Sequence, residues 1–486
     1  MIELAFSLVA VAVIWALAEW RLALLLCLST AILQDPLRKL TPDQPIFFIG
    51  FVGAVFGAAC VGAWARGNRL NLKSVFGRDR RLAIVFSIIL LLIVVQALNS
   101  YLRFDNLFLT LIGLATYLLP IPSIALAYLL VFRQGEFRIN QFMKWYIVCV
   151  TLALTTVCLE FLGYDWPVLG QVGTKLLIFD TATGAVLTPS SGLFRASEIA
   201  AWHAATAACF VLLVTLLRRI TVRRLLTAVT FASVLIGIGI LTGRRKIVME
   251  LVVFIGTYFI LWAILEKRVG KFAIIALTGA ALVGYARFAS ELREEVAIEG
   301  LSSNFSSYVE RSQSVFHDAP SRFVELGIAP IMWAYDGFGL LGAGLGTGTQ
   351  GALQFGGDAG VAGVAEGGLG KITLELGVLG LFIMGWFAIL LFRRFWQIMR
   401  AASRHSLRIG RLSFGLFSFL VANLATFSVA TQAYSDFFIL LILGWMLAFL
   451  LAVPLLVERE VRARQLAIFE EPPSEFRPKI VVSSQI

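Results

Sequence analysis

Between Val364 and Leu381 the chain reads VAEGGLGKITLELGVLGL. Two carboxylates and an ammonium, Glu366, Lys371 and Glu375, stand where a glycine-rich stretch turns into an apolar one. Charges at the edge of hydrocarbon are costly unless they are paired or used. Lys371 and Glu375 are spaced i,i+4, which suits an ion pair on a helix. A second constellation is basic. LTGRRKIVMEL places Arg244, Arg245 and Lys246 in a tight turn between two apolar runs, and SGLFRASEIAAWH puts Arg195 at the start of another. Arg311 and Arg322 fall in the long segment that leads to Glu366. A guanidinium fork binds phosphate oxygens bidentately, so these arginines are candidates for holding an anionic head group. The competing reading of the triplet is snorkelling toward lipid phosphates. For Arg311 or Arg322 alone it is a salt bridge to one of the acids nearby.

The elements that must position these residues are membrane helices. The chain has 486 residues, 59% hydrophobic and 15% charged, against about 25% charged in average soluble domains. Continuous apolar runs of roughly 17–25 residues recur from end to end, each able to cross a ~30 Å hydrocarbon core. Runs that do not alternate exclude a β-barrel. Spans are expected near 2–18, 22–34, 45–64, 82–98, 108–132, 145–162, 197–217, 225–241, 247–265, 271–288, 372–392, 412–430 and 437–457, with Pro120 and Pro122 kinking the fifth. This is an all-α polytopic protein of about 12–14 transmembrane helices. Residues 1–287 carry the first group of spans and 288–371 form one large loop. Residues 372–457 carry the last spans, and 458–486 read as an unstructured cytoplasmic tail.

Basic residues set the orientation. Segments 65–81, 133–144, 218–224, 266–271, 393–411 and 458–486, with Arg21, hold 28 of the 41 Lys and Arg, so these and the C-terminus are assigned to the cytoplasm. The triplet at 244–246 then lies on the outer side, against the trend. The basic excess is spread over short segments and is not a nucleic-acid footprint. All five cysteines lie inside apolar runs, with no metal-ligand spacing. His203 reads as a helix-packing residue; His317 and His405 are isolated.

Two outer segments are long, 163–196 and 288–370, and long loops in compact proteins are usually functional. The second shows helical spacing of Phe323, Val324, Ile328, Ile331 and Met332, so two or more helices are expected near the membrane surface. GLLGAGLGTGTQ follows it. As a phosphate cradle this is weak, because no strand precedes it and no nucleotide is expected outside the cell. A backbone turning against a bulky ligand, or a flexible loop, explains the glycines better.

LTGRRK opening a span, RF ahead of GLLGAGLGTG, and AEGGLGKITLELGVLGLF entering a late span together resemble the bacterial O-antigen ligase and O-antigen/exopolysaccharide polymerase superfamily. The resemblance covers about residues 190–457, and QDPLRKLTPDQP near the N-terminus also looks like exopolysaccharide polymerases. One departure is specific. Aligning on Glu375, Leu376 and Gly377 places Glu366 where the ligases carry a His, and Gly367 where they carry an Asn, which suits a polymerase that uses a carboxylate.

The resemblance implies a GT-C-like bundle, similar to C-type glycosyltransferases, with a periplasmic loop over an outward-facing cavity in the bacterial inner membrane. It implies donor and acceptor glycans on polyprenyl pyrophosphate, surrounding lipids, and assembly partners such as a flippase and a chain-length regulator; no cofactor, metal or nucleic acid is expected. In this reading Glu366 is the general base, contributing ~10²–10⁴-fold. Arg195, Arg244, Arg245 and Arg322, with Arg311, neutralise the pyrophosphate leaving group. Glu375 is structural. The rivals are a ligase, a transporter of lipid-linked glycan, and a non-catalytic scaffold.

Overall fold

The structure, a computed structural model, describes residues 2–68, 75–76, 79–173, 177–179, 186–218, 221–266, 301–313, 321–349 and 366–470. The expected span at 271–288, His317, part of the large loop and the segment 471–486 lie outside the described residues.

The helices are α1 (Ile2–Ala18), α2 (Ala23–Lys39), α3 (Phe51–Ala65), α4 (Arg80–Phe104), α5 (Leu107–Leu118), α6 (Pro120–Gln134), α7 (Glu136–Phe161), α8 (Ser197–Leu216), α9 (Val222–Ile240), α10 (Lys246–Glu266), α11 (Leu301–Gln313), α12 (Ala329–Phe338), α13 (Gly368–His405), α14 (Leu407–Val429), α15 (Phe437–Leu451) and α16 (Val453–Glu470). A two-stranded antiparallel ladder, β1 (Ile178–Phe179) with β2 (Val186–Leu187), precedes α8. Among the described residues ten helical stretches are long and apolar enough to cross a membrane, and α15 with α16 forms an eleventh bent by 42°. Ile2–Ala18 is a shorter apolar helix. The chain is therefore an all-α, multi-pass membrane protein.

Local chemistry sets the boundaries. Side chains of Asp79, Asn106, Thr221, Ser406 and Asp436 accept hydrogen bonds from first-turn amides of α4, α5, α9, α14 and α15. Pro120 starts α6 at its first turn, and α5 and α6 meet at Leu119, which keeps helical dihedrals, so the fifth span runs from Leu107 to Gln134 as one stretch. α16 continues to Glu470 with Arg462–Glu458 and Arg464–Glu460 pairs at i,i+4, so the first part of the expected unstructured tail is helical.

The polar segments sort to two ends of the bundle. At one end Arg66 donates to the carbonyls of Leu17 and Ala18, Arg133 to Asn68, Arg408 pairs with Glu136, and Arg464 donates to the carbonyl of His405. These are the segments assigned to the cytoplasm by charge. At the other end Lys39, Arg195, Arg244, Lys246 and Glu366 gather with their partners. Outward-facing apolar side chains, such as Leu102 at 81% and Phe382 at 73% exposure, form the surface that meets lipid.

The hub is α8. In its central window 89% of residues are buried, against 33–56% in the other long spans. Ala200, Ala201, Ala204, Ala205, Ala207 and Ala208 let neighbouring helices approach closely. His203 is buried there, hydrogen-bonded to the Tyr146 hydroxyl at 2.6 Å, a packing residue as read from sequence. Ser197 and Glu198 form its first turn.

The described part of the glycine-rich segment packs against helices, and residues 350–365 lie outside the described residues. Residues 342–347 are buried between α4, α5 and α13. The Ser100 hydroxyl and the Gln96 amide donate to the carbonyls of Leu345 and Leu341, and the Leu374 carbonyl accepts from Ala343 N–H. A Cβ on Gly344 would stand 2.6 Å from Ser100 N, and one on Gly342 2.6 Å from the Leu374 oxygen. The glycines are required by backbone against helix, not by phosphate.

Candidate active site

The first turns of α8 and α10 and the last turn of α14 enclose a small, partly open cavity. Glu198, Ala201 and Trp202 line it from α8, Lys246, Ile247 and Glu250 from α10, and Thr426 from α14. Arg244 and the turn residues Ala430, Gln432, Ala433 and Tyr434 complete it. The floor is hydrogen-bonded: Trp202 Nε1 donates to Asn423 Oδ1 at 2.7 Å, and Asn423 Nδ2 donates to Glu250 at 3.3 Å.

Arg244 is held by two groups of the α8 terminus. A terminal guanidinium nitrogen lies 2.5 Å from Glu198 Oε1, and Nε donates to Ser197 Oγ at 3.0 Å. Burial lowers its pKa, opposed by the charges of Glu198 and Glu366. Gly243 makes the turn possible with φ 69°, a conformation that strains a residue with a side chain, and Ile178 lies 3.1 Å from where its Cβ would stand. Lys246 Nζ donates to Gln432 Oε1 at 2.7 Å and lies within the fields of Arg244, Glu366, Glu198 and Arg322. Arg244, Lys246 and Glu198 thus face one cavity, and the charge of Glu366 acts on both cations.

Glu366 has an exposed side chain and a fixed backbone. Its carbonyl accepts from the Thr431 amide at 2.8 Å and the Thr431 hydroxyl at 3.0 Å, between the cavity residues Ala430 and Gln432. The next residue, Gly367, is the N-cap of α13. A Cβ there would overlap the Leu326 carbonyl oxygen and stand 2.7 Å from that of Ser428. Glycine is needed after Glu366 because three chain segments meet at it.

Arg195, Arg245, Arg311 and Arg322 do not line the cavity, and of these only Arg322 acts by its charge on Lys246. Arg195 is half-buried and paired with Asp436 at 2.7 Å and Asp35 at 3.9 Å, and it is not among the cavity-lining residues. Burial lowers its pKa, but Asp436 and then Asp35 outweigh that and leave it raised. Its charge is balanced by carboxylates of the fold. Arg245 is buried and is not among the cavity-lining residues. Arg311, on α11, donates to the Gly243 carbonyl at 3.3 Å, bracing the turn from outside. Arg322 stands at the start of a π-helical turn, Phe323–Ile328.

Glu375 is fully buried and structural, but its partner is not Lys371: among the described residues no ion pair joins them. Its Oε2 accepts from the Tyr117 hydroxyl at 2.7 Å and its Oε1 from Gly348 N–H at 3.1 Å. The glycine-rich segment passes so close that a backbone donor reaches the carboxylate, and Lys371 packs its stem against Gly348. Two residues later Gly377, at φ 77°, breaks α13 where the 340–342 segment crosses it.

Sequence reasoning missed Glu198 altogether and left Lys246 out of the candidates, although it stood in the triplet. A carboxylate on the first turn of the span after Arg195 was the available sign. Among the described residues no three His, Cys, Asp or Glu side chains gather as a metal site. No family model matches the chain, and no curated protein matches it.

Proposed function

We propose that the chain is a glycosyltransferase that polymerises oligosaccharide repeat units carried on polyprenyl pyrophosphate, at the periplasmic face of the bacterial inner membrane. The observation that carries the reading is Glu366: an exposed carboxylate whose backbone carbonyl is held by Thr431, between the cavity residues Ala430 and Gln432, with its charge acting on the cavity cations Arg244 and Lys246. The resemblance of LTGRRK, GLLGAGLGTG and AEGGLGKITLELG to O-antigen and exopolysaccharide polymerases supports it.

In this reading the acceptor hydroxyl attacks the anomeric carbon of the donor sugar. The bond from that carbon to the pyrophosphate oxygen breaks, and the lipid pyrophosphate leaves with the electron pair. Glu366 takes the hydroxyl proton as the new glycosidic bond forms. Arg244, Lys246 and Arg322 meet the charge that grows on the leaving group, and their fixed placement spares reorganisation during the reaction. Both substrates are anchored in the bilayer, so a site at its surface holds them together and gains from proximity.

Arg195 and Arg245 are not assigned to the leaving group, because one is neutralised by Asp436 and Asp35 and the other does not line the cavity. The test is the purified chain in liposomes with lipid-pyrophosphate-linked repeat units. A ladder of products supports the polymerase. One transfer per acceptor makes it a ligase, and vectorial movement without a new glycosidic bond makes it a transporter.

A further inference from the structure

QDPLRK, residues 34–39, has no part in the chemistry above, yet its charges are buried at the same end of the bundle. Asp35 Oδ2 accepts from the Arg195 amide at 3.0 Å. Lys39 Nζ donates to the carbonyls of Gly192 and Phe194, both at 2.7 Å. α7 grips the same segment from its other side. Glu160 accepts from the Ser191 and Gly192 amides at 2.8 and 2.6 Å, and Thr156 from the Leu193 amide at 2.9 Å. The Arg195 side chain then ties the segment to Asp436, which caps α15.

Within segment 191–195 the Phe194 amide closes a turn on the Ser191 carbonyl and the Arg195 carbonyl accepts from Val172, but the amides of Ser191, Gly192, Leu193 and Arg195 and the carbonyls of Gly192 and Phe194 are satisfied by side chains of distant helices. A stretch held this way owes much of its placement to those side chains. Ser197 and Glu198, the two groups that hold Arg244, follow immediately.

We propose that Asp35 and Lys39 are positioning residues that fix segment 191–195 and, through Ser197 and Glu198, aim the guanidinium of Arg244 into the cavity. The role in turnover rests on the polymerase reading; the mechanical coupling does not. Lys39 suits this task because one ammonium can satisfy two carbonyls at once. Asp35 suits it because it accepts from the backbone of Arg195 while facing that residue's guanidinium.

The coupling is read by hydrogen–deuterium exchange of the full chain in lipid nanodiscs. In Lys39→Met the amides of 191–195 and of the 242–248 turn both exchange about tenfold faster or more, the effect of losing a charged hydrogen bond. Those of 225–238 stay as in the wild type. Asp35→Asn keeps the side-chain volume and gives the same pattern more weakly, so it decides the matter if Lys39→Met does not fold. Faster exchange at 191–195 alone, or at neither stretch, overturns the proposal.

The role in turnover is read by inhibition with inorganic pyrophosphate. Its inhibition constant rises about tenfold in Asp35→Asn while the acceptor KM is unchanged. Combining Asp35→Asn with Arg244→Lys gives less than the product of the two effects, because both act through one guanidinium. Independent, multiplicative effects overturn the positioning role. A wild-type chain indifferent to pyrophosphate counts against the cation site itself and leaves the exchange result to decide the clamp.

Discussion

Removing Arg244 should separate stability from chemistry. Its guanidinium spends one terminal nitrogen on Glu198 and Nε on Ser197, with side-chain exposures of 18% for Arg244 and 13% for Glu198. Arg244→Ala therefore leaves a mostly buried carboxylate without its cation, a change that costs about 3–5 kcal/mol in such pairs. Adding Glu198→Gln removes the stranded charge, so Arg244→Ala/Glu198→Gln should recover most of the lost stability. It should recover no activity, because the cation that faces the leaving group is still missing. Loss of one such group costs about 10²–10³ in turnover. Arg244→Lys should fold normally yet lose on the order of 10- to 100-fold, since a single ammonium cannot bond Ser197 and Glu198 and still present a planar fork to phosphate. Thermal unfolding in detergent gives the first quantity, and turnover with lipid-linked donor gives the second. A double variant as active as wild type would refute the assignment of Arg244 to the leaving group. A double variant no more stable than Arg244→Ala would refute the electrostatic account of its burial.

Gly367→Ala should lower both stability and activity, because the new methyl meets backbone oxygens of Leu326 and Ser428 that cannot turn aside. Gly385→Ala, with nothing within 4 Å, is the neutral control, and thermal unfolding compares the two. Tyr117→Phe should cost about 1–3 kcal/mol by leaving buried Glu375 one donor short, with the pyrophosphate inhibition constant unchanged, since Glu375 is outside the cation cluster. Turnover should survive excess chelator, because Arg244, Lys246 and Arg322 carry the charge neutralisation; loss in EDTA with rescue by a divalent ion would contradict this.

The spans were legible because each is a continuous apolar run, and the two polar ends because lysine and arginine sort by side. Arg244 and Glu366 stood out by breaking a pattern: a cation outside and a carboxylate at the start of a late span. What stayed hidden was non-local. Glu375 looks toward Lys371 in one dimension, whereas its donors are Tyr117 and Gly348, brought in by the fold. Arg195 looks exposed and functional until Asp35 and Asp436 are seen beside it. The glycines at 342, 344 and 346 admit many turns, and only the helices around them select one. Glycine content alone could not single out Gly377 as the break in α13, because that choice depends on the 340–342 segment lying across it.

The most direct test of the central claim is one comparison: purified wild-type chain and Glu366→Gln, each given lipid-pyrophosphate-linked repeat units, with products separated by length. The side chain is exposed and only its backbone is bonded to Thr431, so the variant should unfold at the wild-type temperature. Wild type should produce a ladder, and Glu366→Gln should fall by ~10²–10⁴-fold, the contribution of a general base. A folded Glu366→Gln variant that extends the ladder at the wild-type rate would contradict the account.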